Sequence, residues 1–373
     1  MEDDPMRRIF IVFATAAVFG LLVSSNSPAA ETNPPDVAQM VAKAINFLHT
    51  KGQDEDGSYS KFAGPGVTAL VTTSILRNGR SPDDPKVADS LKYLESFVQD
   101  SGGIHQKDSL YRNYETSLSV LAFSAANKDG RYDQLLKRAD AFLKGNQWDE
   151  GESIDSSDLA YGGACYGKHG RPDLSNTNFL IEALKETGND ADSEAIQRAL
   201  VFVSRCQNLE TEHNTTPFST KVRDGGFYYT PAAGGTSQAG TTENGGLRSY
   251  GSMTYAGLKS LIYAGVGPDD PRVKSAYEWI QKNYKLDSNP GMGTSGLYYY
   301  YHTFAKALTA IGDDQIVDAA GNKHDWRAEL IAELAARQQE NGSWVNDDSR
   351  WLEGDPNLAT GYALLALAYC QAK

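Results

Sequence analysis

The chain has 373 residues, a formal net charge of −13 and a pI near 5.0. That acidity argues against nucleic acid or an anionic membrane surface as a partner. Its three cysteines are too few for a disulfide scaffold and too dispersed for a zinc cluster.

Arg7 and Arg8 precede an uncharged apolar run, Ile9 to Val23, followed by Ser24, Ser25, Asn26 and Ser27. Ser27-Pro28-Ala29 and Pro28-Ala29-Ala30 offer small residues for cleavage, so residues 1–30 read as a secretory signal peptide. The mature chain is expected to begin between Ala30 and Val37 and to be periplasmic or secreted. No later segment has the length and apolarity of a membrane span.

From there the sequence repeats. Gln53 to Tyr59 reads Q-x-x-x-G-x-Y, Gln99 to His105 reads Q-x-x-x-G-x-H, Gln147 to Gly151 gives the first part, and Gln338 to Trp344 gives Q-x-x-x-G-x-W. Threonines follow near the start of apolar segments: Thr68, Thr116, Thr177, Thr254, Thr303 and Thr360. Helical spacing of apolar residues predicts outer helices near 36–50, 85–99, 131–146, 192–207, 271–285 and 325–339. Alanine- and leucine-rich inner helices are predicted near 66–77, 113–127, 175–187, 252–265, 298–311 and 357–371. Pro82-Asp83-Asp84-Pro85 and Pro268-Asp269-Asp270-Pro271 read as helix caps. Repetition at this period means hairpins that bury their faces on one another. The expected fold is all-α: one (α/α)6 toroid over residues 31–373, with six inner helices inside six outer ones.

Two long connections, 147–174 and 208–251, run from outer to inner helices and emerge where the inner N-termini converge. Long loops in a compact domain are usually functional, so that mouth is the expected site. Convergent helix N-termini also predict a positive potential there, suited to an anionic group. Tyr161 to Arg171 is the most suggestive loop, with glycines for close approach and Tyr161, Lys168, His169 and Arg171 as candidate ligand contacts. The second loop adds Tyr228, Arg248 and Tyr250, and the tyrosine run Tyr298–Tyr301 adds Tyr301. Glu115, Asp173, Glu243 and Asp355 are the carboxylates placed near the mouth. No G-x-S-x-G elbow, P-loop or H-E-x-x-H appears, and neither a cofactor nor a metal is expected. If any cysteines pair, the placement favours Cys165 with Cys206.

The Q-x-x-x-G-x-W repeats resemble those of the squalene–hopene cyclase and protein prenyltransferase superfamily, across essentially the whole mature chain. The resemblance implies a cyclase acid in a D-x-D-D segment that opens an inner helix. Here Asp173 matches the first aspartate, while Ser175 and Asn176 stand where the later pair belongs. It also implies a zinc-holding histidine in prenyltransferases. Tyr301-His302-Thr303 resembles that segment, but Tyr250-Gly251-Ser252 supplies neither aspartate nor cysteine. Asp173 and His302 are therefore the catalytic candidates, with Asn176 among the ligand contacts. The leading expectation is a cavity for an apolar, isoprenoid-like or anionic small molecule. The alternatives are a carbohydrate-active lyase or hydrolase, and a non-catalytic binding or interaction protein.

Overall fold

The computed structural model describes residues 35–167 and 170–371; the expected signal peptide lies outside the described residues. Six outer helices, α1 (Val37–Phe47), α3 (Pro85–Glu95), α5 (Asp133–Lys144), α7 (Glu194–Arg205), α9 (Pro271–Asn283) and α11 (Trp326–Arg337), alternate with six inner ones. The inner set is α2 (Pro65–Arg77), α4 (Arg112–Ala126), α6 (Leu174–Glu186), α8 (Gly251–Tyr263), α10 (Leu297–Ile311) and α12 (Pro356–Gln371). Each inner helix packs on its two inner neighbours, and α12 returns to α2, which closes the ring. The expected all-α toroid is the fold of the chain.

Burial separates the two rings. Every residue of α2 from Pro65 to Leu76 is buried, whereas α7 buries a single face at Ala195, Ile196, Ala199, Phe202 and Val203. A helix covered on all sides needs apolar or small residues throughout; one covered on one side needs only a stripe. Asp84 and Asp270 cap α3 and α9, accepting from Lys86 N at 3.0 Å and Arg272 N at 2.8 Å.

The repeat motif works as a clamp between successive hairpins. The Gln53 amide donates to the Lys86 carbonyl in the first turn of α3 at 2.7 Å. Gln147 does the same to Ala195 in α7 at 2.9 Å, Gln207 to Arg272 in α9 at 2.8 Å, and Gln338 to Met40 in α1 at 3.0 Å. Each also bonds a loop glycine carbonyl: Gly57, Gly162, Gly225 and Gly342 respectively. At Gly162 a Cβ would fall 1.7 Å from the Arg198 carbonyl oxygen of α7, and at Gly342 2.5 Å from that of Lys43 in α1. Glycine is required there because backbone meets backbone, at positive φ. The partner of Gln147 is thus Gly162, not Gly151 as the spacing suggested, because the loop inserts residues between them. Gln99 departs from the pattern and bonds the Phe97 and His105 carbonyls within its own loop.

The threonines complete the clamp. Thr68, Thr116, Thr177, Thr254 and Thr360 each accept a backbone N–H from the preceding loop, at 2.9–3.1 Å. Thr303 does not; its hydroxyl bonds the Tyr299 and Tyr300 carbonyls inside α10. Connections from inner to outer helices are short, except after α10, where Ile316–Val317 (β1) pairs antiparallel with Lys323–His324 (β2). All three cysteines are buried free thiols, so Cys165 and Cys206 are not bridged.

Candidate functional site

A cavity of about 670 Å³ opens at the end of the ring where the inner N-termini converge. Every inner helix contributes its first turns: Gly66, Tyr114, Ser175, Ser252, Tyr299 and Leu358 all line it. Five of these stand two residues before the clamp threonine, the position that the first helical turn points at the axis. In α10 the corresponding residue is Tyr299, so Tyr301 holds the threonine's place and Thr303 lies outside the frame.

Ten lining residues are aromatic, and six of them, Tyr111, Tyr166, Tyr114, Phe179, Tyr299 and Tyr362, are linked ring to ring. The Tyr114 ring meets Tyr166 and Phe179 edge-on at 5.8 and 5.4 Å, and Tyr299 meets Tyr362 at 5.8 Å. The Ser175 and Tyr299 hydroxyls lie 3.0 Å apart. Phe62, Tyr111, Trp351 and Leu352 form an exposed apolar rim. Trp351 and Leu352 both hold left-handed backbone, at φ 55° and 66°, a conformation that costs a non-glycine residue roughly 1–2 kcal/mol. Buried Glu353 fixes the end of their strap by accepting from Tyr298 N at 3.1 Å, Tyr299 N at 2.8 Å and the Asn346 amide at 2.7 Å. Arg350 reaches from the strap to Gln238 on the long loop at 2.6 Å.

Apart from tyrosine hydroxyls, the only ionisable side chains among the described lining residues are Glu115 and Glu353. Glu115 accepts from Gln106 N and the Ser109 hydroxyl, both at 2.9 Å. Burial raises both carboxyls above their usual range. Carboxylates already occupy three of the six inner helix N-termini, which weakens the anion site expected at the mouth. Glu353 serves α10, Asp173 accepts from Asn176 N of α6 at 2.9 Å, and Asp355 accepts from Asn357 N of α12 at 2.8 Å.

Asp173 is 2 % exposed and behind the cavity wall. Its carboxyl is raised to about 6, because loss of hydration outweighs the hydrogen bonds from Asn176 and Tyr229 and the Arg171 charge. The Arg171 charge pulls the other way and does not prevail. Asn176 is spent on Asp173, with its amide 2.7 Å from the carboxylate. His302 lies deeper, 3 % exposed between Tyr362 and Tyr369, with Nδ1 unpartnered. Burial and three nearby cations hold its pKa well below the usual imidazole value.

Of the other expected ligand contacts, Tyr250 lines the cavity. Tyr161 bonds Glu150, Tyr228 bonds the Arg205 carbonyl and Tyr301 bonds the Leu286 carbonyl, all away from it. Arg171 bonds Thr236 and lies over the Tyr229 ring, and Arg248 bonds the Thr241 carbonyl; both are exposed on the loops. Lys168 and His169 fall outside the described residues. Glu243 is exposed and lines nothing. Sequence reasoning missed Tyr229, Tyr299, Tyr362, Trp351 and Glu353. The position two before each clamp threonine would have found the helical members, whereas nothing in its local sequence marks Glu353.

No protein-family model matches the sequence, and no curated protein matches it. Solved structures do. The type II terpene cyclase MstE from Scytonema, in complex with its substrate geranylgeranyl dihydroxybenzoate, superposes with a TM-score of 0.55 at 14% identity, over 90% of this chain and 97% of that one. Glycosyl hydrolase family 88 from Bacteroides vulgatus gives 0.55 at 10%, over 89% and 97%. A protein from Actinoplanes gives 0.52 at 13%, over 90% and 100%. At these identities the likeness establishes the α/α toroid, a scaffold shared by enzymes of different chemistry.

Proposed function

We propose that this toroid binds an extended, apolar, isoprenoid-like molecule in its mouth cavity. One observation carries the reading: a space of about 670 Å³ walled by ten aromatic rings, with its buried carboxyls bonded to backbone and neighbouring hydroxyls. Aromatic walls of this size bury a ligand chain by exclusion of water. The terpene cyclase MstE, with a geranylgeranyl substrate on the same scaffold, supports it. Quenching of Trp351 fluorescence tests it: geranylgeraniol quenches in a saturable way, and Tyr299→Ala weakens binding about tenfold, as for an aromatic contact worth roughly 1.5 kcal/mol. Saturable quenching by an oligosaccharide and none by the isoprenoid would overturn the reading.

A carbohydrate-active enzyme is the second reading, favoured by Glu115 and Glu353 lining one cavity. It expects glycosidase or lyase turnover that Glu115→Gln abolishes. Export is also proposed, on the Arg7-Arg8 start and the Ile9–Val23 run; N-terminal sequencing of exported protein should begin between Ala30 and Val37.

A further inference from the structure

Beneath the aromatic wall, the inner ring holds more positive charge than it can pair. Glu182 of α6 receives both Lys259 of α8 and Lys306 of α10, and all three are at most 5 % exposed. Nearer solvent, Arg77 of α2 pairs with Glu186 at 2.8 Å and donates to the Tyr369 hydroxyl at 2.6 Å. Arg77 and Glu186 neutralise each other, so the buried trio keeps one cation in excess. The remaining groups that face it are the neutral side chains of Asn178, Ser260, Tyr263 and His302. An unbalanced charge in a dry interior costs several kcal/mol, so it either sheds its proton or acquires a counter-ion.

There is room for a counter-ion. A space of about 10 Å³, enough for one water-sized particle, is lined by Lys306, His302, Arg77 and Glu182 among apolar neighbours. His302 is 3 % exposed, and its buried Nδ1 has no hydrogen-bond partner. Phe179 lines both this space and the mouth cavity, so one ring divides them. A water in this space would leave the charge in place; a small anion neutralises it.

We propose that this space beneath Phe179 is a binding site for one monovalent anion of halide size, held by Lys306, Arg77 and the His302 imidazole. The anion neutralises the second lysine of the trio and ties α2 to α10 across the ring. It is independent of what the mouth cavity binds.

The test uses the full mature chain. Thermal unfolding in sodium chloride should run about 2–4 °C above that in sodium gluconate at equal ionic strength, saturably, with the larger bromide giving a smaller shift than chloride. The ³⁵Cl resonance should broaden in the presence of protein and sharpen when bromide is added. Lys306→Met removes the excess charge: its chloride response should vanish, and its midpoint in gluconate should not fall below that of the wild type. Lys259→Met makes the same prediction from the other side of Glu182. Equal midpoints in the two salts without excess ³⁵Cl broadening would overturn the proposal, as would broadening that survives both substitutions.

Discussion

Asp173 sits at the start of α6 with 2 % of its surface exposed, two residues from a solvent-exposed arginine. A guanidinium in water stabilises a carboxylate weakly because solvent screens it. Burial penalises the charged carboxyl directly, and the group moves from 3.8 up to about 6. The folded state then binds this proton more tightly than the unfolded chain does. Its contribution to stability is therefore greatest below about pH 3.8, falls as pH rises towards 6, and is flat above. The full swing is about 3 kcal/mol at 1.36 kcal/mol per unit. Asp173→Asn keeps a capping side chain and removes the titration. Its unfolding midpoint should vary less than that of the wild type between pH 4 and 6 and exceed it at pH 7; an unchanged pH profile would refute the assignment. Glu115 and Glu353 shift in the same direction, so part of the wild-type slope should remain. At this scale the sequence shows the residue types of the cavity and hides their phase. Tyr301 and Tyr228 were expected in the cavity, where Tyr299 and Tyr229 stand. Helical residues two apart are turned by about 200°, and neighbours in an extended segment point to opposite sides, so a small error of phase empties the site.

Helix boundaries fared better, because they follow from periodicity and caps, both of which are local. The clamp was legible only in outline: the glutamine and threonine of each repeat mark it, but the glycine that completes it is displaced wherever a loop is inserted. Gln207 does not match the repeat spacing, because seventeen residues separate it from Gly225. Its amide nevertheless bonds Gly225 and Arg272, each at 2.8 Å. Gln207→Ala should cost about 2 kcal/mol, as two buried hydrogen bonds with their acceptors left bare. Gly162→Ala should cost roughly 3 kcal/mol, since its methyl would collide with the Arg198 carbonyl at positive φ. Gly188→Ala is the control: φ is also positive, but nothing lies within 4 Å, so the expected loss is about 1 kcal/mol. The drop in denaturant midpoint should be largest for Gly162→Ala, intermediate for Gln207→Ala and smallest for Gly188→Ala, and a Gly162→Ala variant as mild as Gly188→Ala would exclude the clamp.

For the molecule as a whole, the architecture was legible because a repeat states it many times, so errors in single copies do not matter. The chemistry was not, because the mouth is assembled from residues far apart in sequence, such as Glu115 and Glu353. The same separation limits what the cyclase resemblance can carry. Protonating an isolated alkene calls for a strong acid in contact with it. Asp173 lies behind the wall, bonded to Asn176, and titrates at about 6. Incubation with squalene should therefore yield no cyclised product; a product lost in Asp173→Asn would reverse that conclusion.

The bond from Gln338 to the Met40 carbonyl, together with the packing of α12 on α2, makes the last hairpin a neighbour of the first. An open stack of repeats needs specialised end units to shield its exposed faces; this ring has no such ends. Where the polypeptide starts is then arbitrary as far as packing is concerned. Joining residue 371 to residue 35 by a flexible linker and reopening the chain in the exposed turn at Lys128-Asp129-Gly130 should give a circular permutant with the same helical content and the same cavity. Deletion of any one hairpin, by contrast, should break the ring and unfold the remaining five together.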